Sequence, residues 1–92
     1  MPPAFLAGAL PYKEITLYDY YETAAVDNAK NLQANLFATW GVSIYDPQMR
    51  RQAEKTIELA RESWSARVNA AVGVAQAVLD HNRDTALAVT LR

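Results

Sequence analysis

Apolar residues in the first half of the chain recur at the spacing of an α-helix. Successive members lie three or four residues apart, and the pattern repeats after eleven residues. This spacing places them on one helix face, and a repeat of eleven, about 3.67 residues per turn, favours a nearly straight helix. The stripe comprises Tyr18, Tyr21, Ala25, Ala29, Leu32, Leu36 and Trp40.

A second stripe with the same period predicts a second helix. Between the two stripes, Gly41 suits a helix C-terminus, and Asp46 followed by Pro47 suits an N-cap and first turn. The pattern therefore predicts an all-α fold, an antiparallel hairpin of two long, nearly straight helices. The second stripe comprises Met49, Ala53, Ile57, Ala60, Trp64, Val68, Ala71, Ala75 and Leu79.

These boundaries predict a single helical-hairpin domain over residues 1–92. The tail alternates apolar with smaller or polar residues, which suits either a short strand or a helix. The predicted segments are an extended apolar arm (1–12), helix 1 (13–40), a turn (41–46), helix 2 (47–82) and a short tail (83–92).

The two stripes should face each other and form the core of the hairpin. If Trp64 is buried there, replacing it with alanine should cost about 3–5 kcal/mol of stability. The predicted core residues are Leu32, Leu36, Trp40, Ile57, Trp64, Val68 and Leu79.

Residues 68–80, VNAAVGVAQAVLD, are apolar or small on nearly every side of a helix. Small residues let another backbone approach closely, and helix 1 can cover only the side that carries the stripe. We therefore expect a neighbouring copy to cover the opposite side. The predicted interface comprises Leu59, Ser63, Ala66, Ala70, Gly73 and Ala77, with Phe5, Leu6 and Leu10 from the arm.

Composition and charge narrow the classes of function. Apolar residues make up 51% and charged residues 21%, which is typical of globular proteins. The net charge of −1 does not favour nucleic acid as a partner, so no specific nucleic-acid binding is predicted. The longest uncharged helical stretch, residues 68–79, falls short of the roughly 20 residues that a membrane-spanning helix needs, so no transmembrane span is expected.

The sequence offers little for catalysis or metal binding. His81 is the only histidine, Val78 stands three residues before it, and there is no cysteine. The Glu-x-x-His spacing of di-metal bundles and any thiolate site are therefore absent. Asp19 and Glu22 share a helix face, but acids near a helix start also complement its dipole. We predict no enzyme, no cofactor and no metal.

Two groups of polar residues have structural explanations. Arg50 and Lys55 can pair with Glu54 and Glu58 at helical spacing. An amide-rich face of helix 1 could line an aqueous channel, mediate contacts between subunits or simply face solvent. Its amides are Asn28, Asn31, Gln33 and Asn35.

Trp40-Gly41 at the bend and the Ala-rich second helix resemble, in shape, the small secreted Trp-x-Gly helical hairpins of bacterial export systems. The third motif position is Val42 instead of glycine, and the tyrosine-plus-acid signal that follows helix 2 in that family is missing. We therefore do not assign the chain to that family.

Two packing seams, an apolar arm and no chemical site suit a repeated structural subunit. We expect a non-enzymatic protein that self-assembles through helix 2 into a ring, tube or shell. By analogy with small helical virion proteins, it would be a bacteriophage component, portal- or tail-associated or an internal ejection protein. Its partners would be copies of itself and other assembly subunits. The alternatives are a secreted or effector-like hairpin dimer, and an amphipathic coat or adaptor on a lipid surface.

Deleting residues 1–10 should lower the melting temperature or weaken assembly. Each large apolar side chain of the arm should bury surface worth about 1.5–3 kcal/mol. Thermal denaturation and light scattering of the shortened and full chains measure both effects. If the two chains melt and assemble alike, the arm makes no stabilising contact.

Overall fold

The computed structural model describes residues 16–38 and 44–91. These residues form four helices and no strand, which confirms the predicted all-α class. The helices are α1 (Leu17–Ala38), α2 (Pro47–Ala60), α3 (Ala66–Leu79) and α4 (Arg83–Ala88). Phe5, Leu6, Leu10, Trp40, Gly41 and Val42 lie outside the described residues.

The start of α2 follows the predicted capping pattern. Asp46 precedes the helix, and its carboxylate Oδ1 accepts a hydrogen bond from the Gln48 backbone N–H at 2.8 Å. Pro47 occupies the first turn, where its missing N–H costs no helical hydrogen bond. The local chemistry of Asp46-Pro47 therefore sets this boundary.

The predicted single helix over 47–82 is wrong, because the chain breaks between Ala60 and Ala66. Ser65 has an extended backbone, and its Oγ accepts a hydrogen bond from the Val68 N–H at 3.1 Å, which caps the start of α3. Ser65 is the only local sign of this break, since no glycine or proline stands there. The break lets α3 reverse and pack antiparallel against α2.

Three helices form the bundle, and cross-helix bonds show their directions. At the start of α1, the Tyr18 hydroxyl accepts from the Trp64 backbone N–H, just beyond α2, at 2.8 Å. Near the middle of both helices, the Asn28 amide donates to the backbone carbonyl of Gln52 at 2.9 Å. The helices α1 and α2 are therefore antiparallel, and α3 runs parallel to α1.

Helix α3 lies at the centre and contacts α1, α2 and α4. This packing accounts for the apolar character of residues 68–80, because helices of the same chain cover several sides. The buried residues of α3 are Val68, Ala71, Val74, Ala75, Ala77 and Val78.

This packing corrects the predicted interface of helix 2 with a neighbouring chain, which we call the seam. Ser63 and Ala77 are buried within the chain, at 2% and 6% exposure. A Cβ atom added to Gly73 would lie 3.8 Å from the methyl groups of Val89, so this position faces the chain's own C-terminal segment. The seam was inferred from one straight helix, and the break at residues 61–65 removes that continuity.

The predicted core residues have different positions in the bundle. Leu32, Leu36 and Val68 are buried, and Ile57 and Leu79 are half-buried against the main core. The assignment of Trp64 to the core is wrong, because its side chain is 79% exposed. Trp64 lies in the irregular segment between α2 and α3, where helical periodicity does not determine its direction.

The tail contains a short helix, α4, that folds back onto the bundle. Gln33 of α1 donates from Nε2 to the carbonyl oxygens of Ala86 at 2.6 Å and Val89 at 2.9 Å. The Arg83 guanidinium donates to the Leu36 carbonyl at 2.9 Å. These bonds and the contacts with α3 place α4 beside both parallel helices, α1 and α3.

The end of α3 adopts a Schellman motif with a non-glycine residue in the left-handed position. His81 has φ 63°, its N–H donates to the Val78 carbonyl at 2.9 Å, and the Asn82 N–H donates to the Ala77 carbonyl at 2.7 Å. The turn redirects the chain into α4. A side chain at this φ is strained because Cβ crowds the backbone.

Replacing His81 with glycine should relieve this strain. We expect the glycine variant to be about 1 kcal/mol more stable than a His81→Ala variant, since both lose the imidazole and only alanine keeps Cβ. Urea denaturation of the two variants measures the difference. Equal stabilities would show that the left-handed turn carries no strain at Cβ.

Candidate interaction surface

Most of the amide-rich face of α1 binds neighbouring helices. Asn28 Nδ2 donates to the Thr56 Oγ1 at 2.7 Å as well as to the Gln52 carbonyl, and Thr56 is fully buried. Asn35 Nδ2 lies 3.2 Å from the Gln52 side-chain oxygen, and Gln33 bonds to the C-terminal segment. These three amides therefore connect elements within the chain.

Four large apolar side chains are exposed at the end of the bundle where α1 begins and the α2–α3 connection turns. We call this group the aromatic end surface and define it as Leu17, Tyr18, Tyr20 and Trp64. Their exposures are 73%, 43%, 56% and 79%. The bond between the Tyr18 hydroxyl and the Trp64 backbone joins its two parts.

The neighbouring rings of α1 support this surface. Tyr21 is half-buried and packs edge to face against Tyr20, with ring centroids 5.2 Å apart and an interplanar angle of 73°. This geometry is favourable for aromatic pairs and limits the freedom of the Tyr20 ring. The surface is therefore partly preorganised, which lowers the entropic cost of binding.

Two further large apolar residues are exposed near the other end of the bundle. Phe37 lies in the last turn of α1, at 63% exposure, and Tyr45 precedes α2, at 65%. The Tyr45 ring is tilted against the His81 imidazole, with centroids 4.2 Å apart. At 1.5 Å per residue, Phe37 lies about 30 Å along α1 from Leu17.

Little of the predicted seam remains available to a partner. Leu59 is half-buried and packs against the small cluster of Ala25, Ala60 and Val68. Ala66 is exposed and Ala70 is half-buried. Among the described residues of the seam, only Ala66 is therefore exposed.

Four charged side chains of α2 have a structural explanation. The two predicted intrahelical pairs are present, Arg50–Glu54 at 3.6 Å and Lys55–Glu58 at 3.4 Å. Within residues 16–38 and 44–91, no group of three or more histidines or acidic residues could hold a metal ion. In the same ranges, no helix combines the length and the apolar character required to cross a bilayer.

Sequence reasoning missed the Trp64 part of this surface because it placed that residue in the core. The chain matches no protein-family model, no curated protein and no solved structure. The geometry of the described residues is therefore the basis for a functional proposal.

Replacing Trp64 with alanine should leave the stability of the monomer nearly unchanged. We expect a change within about 0.5 kcal/mol, because the exposed ring loses little packing. As a matched control, Leu32→Ala should cost about 2–5 kcal/mol, since Leu32 is fully buried. Thermal denaturation at a concentration where the protein is monomeric measures both. A large loss for Trp64→Ala would place this ring in the core.

Proposed function

We propose that this protein is a non-enzymatic structural subunit that assembles with copies of itself through the aromatic end surface. The observation that carries the proposal is the exposure of Trp64, Leu17 and two tyrosines at one end of the bundle. Tryptophan and tyrosine often carry much of the binding energy at protein interfaces. We keep the self-assembly expected from the sequence, but we now place the contact between copies at this end instead of at the helix 2 seam.

Burial of this surface would provide a favourable free energy of association. Removing a large apolar side chain from water contributes about 1.5–3 kcal/mol, before the entropic costs of association are subtracted. The hydroxyl groups of Tyr18 and Tyr20 can keep hydrogen bonds at the margin of such an interface. The surface thus combines apolar area with polar groups, as protein interfaces do.

The charge balance supports a second copy as the occupant. With a net charge of −1, two copies repel each other only weakly, and a net charge near zero favours association. The residues that flank Trp64 in the sequence also carry charges of both signs: they include Arg61, Glu62 and Arg67.

A ring or tube requires two different contact surfaces on each copy. The aromatic end surface could meet the exposed Phe37 and Tyr45 of the next copy, which gives a head-to-tail assembly. A head-to-head contact would instead close at a dimer, as in the alternative of a small helical dimer. We propose the head-to-tail form, with a repeated virion component as its setting by analogy.

Sedimentation of three proteins over a range of concentrations tests the proposal. Wild-type protein should form oligomers, and Trp64→Ser should shift the equilibrium to monomers by about tenfold or more in concentration, because interface tryptophans often contribute at least about 2 kcal/mol. Phe37→Ser should weaken assembly as well if the contact is head-to-tail. Circular dichroism verifies that each variant keeps its helices.

The outcomes separate the alternatives. Loss of oligomers in Trp64→Ser with a dimer retained in Phe37→Ser would support a two-fold head-to-head dimer and contradict the ring or tube. A wild-type protein that stays monomeric at all concentrations, or a Trp64→Ser variant that assembles normally, would refute self-association through this surface.

A further inference from the structure

An open groove lies on the outer face of α2 and α3, apart from the aromatic end surface. Its volume is about 790 Å³, and half-buried Ile57 from α2 and Leu79 from α3 supply its apolar part. Charged side chains of α2 surround these two residues. The groove therefore offers an apolar strip within a charged margin.

The charged side chains around the groove differ in whether they already have an ion-pair partner. The carboxylates of Glu54 and Glu58 each pair with a cation of the same helix. The guanidinium groups of Arg51 and Arg61 also line the groove, and within the described residues neither has an ion pair or hydrogen bond. Two exposed cations therefore remain to receive negative charge from a ligand.

The spacing of these two arginines indicates how far apart the negative charges of a ligand should lie. Arg51 and Arg61 are ten residues apart, which corresponds to about 15 Å along the axis of α2. We propose that the groove binds an amphipathic helix of a partner protein. Its apolar face would cover Ile57 and Leu79, and two carboxylates about ten residues apart would pair with Arg51 and Arg61.

The acidic side chains favour such a helix over a continuous polyanion. Glu54 and Glu58 lie between the two arginines in the sequence and line the same groove. A phosphate backbone or an anionic lipid surface would also place negative charge beside these two carboxylates, with which Arg50 and Lys55 are already paired. A peptide can place its carboxylates only at the two ends and leave neutral residues between them, so a protein ligand fits this charge order best.

Titration with a designed peptide tests this inference. The probe is an alanine-based helical peptide with two glutamates about ten residues apart and leucines between them on the same face. Its control peptide has lysines in place of both glutamates. NMR of the Ile57 and Leu79 methyl groups locates binding, and fluorescence anisotropy of the labelled peptide measures affinity.

The glutamate peptide should shift the methyl signals of Ile57 and Leu79, and the lysine peptide should bind at least about tenfold more weakly. An Arg51→Gln/Arg61→Gln double variant should lose about tenfold or more in affinity for the glutamate peptide. Lys30→Gln serves as the control, since Lys30 is an exposed cation of α1 that does not line the groove. It should bind like the wild type.

No binding of the glutamate peptide, equal binding of both peptides, or an unchanged affinity in the double variant would overturn the inference. The double variant should keep its helicity, because both arginines are exposed. The Arg51→Gln single variant should keep the sedimentation behaviour of the wild type, because Arg51 lies near the start of α2 and away from Trp64. This variant therefore tests the groove separately from the aromatic end surface.

Discussion

The need to cover α3 on several sides determines the rest of this fold. This helix carries no charged residue after Arg67 until Asp80, and six of its fourteen residues are buried. A single partner helix could shield only one side of it. Helix α2 ends after Ala60, so that it packs against α3, and α4 folds back beside α3. A helix that seemed to require a neighbouring copy is thus largely covered by its own chain.

Side-chain hydrogen bonds between helices supplement this apolar packing. Asn28 reaches the Gln52 carbonyl and the buried Thr56 hydroxyl, while Gln33 and Arg83 connect α1 with the C-terminal segment. A buried polar group without a hydrogen-bond partner raises the free energy of the folded state, so a shifted pairing of the helices would be less stable. Alanine-rich interfaces tolerate sliding more readily than interlocked large side chains do, and these directional bonds define one register.

Once the chain covers α3, the features available for recognition lie elsewhere on the bundle. The end that carries Trp64 presents exposed aromatic side chains, and the outer face of α2 presents cations beside a half-buried apolar strip. The first suits contact between copies through apolar burial, and the second suits a ligand with discrete negative charges.

Features that depend on neighbours along the chain could be predicted from the sequence. The all-α class, the capped start of α2 at Asp46-Pro47 and the ion pairs of α2 follow from spacing and local chemistry, as does a helical stripe that includes the buried Leu32 and Leu36. Packing between the helices accounts for the break in helix 2, the exposure of Trp64 and the burial of Ser63 and Ala77, none of which the sequence predicted. Periodicity states which residues share a helix face, but the element that covers the face is chosen by packing between residues distant in sequence. Ser65 alone is a weak stop signal, and the burial gained when α3 folds back onto α2 and α1 makes the break favourable.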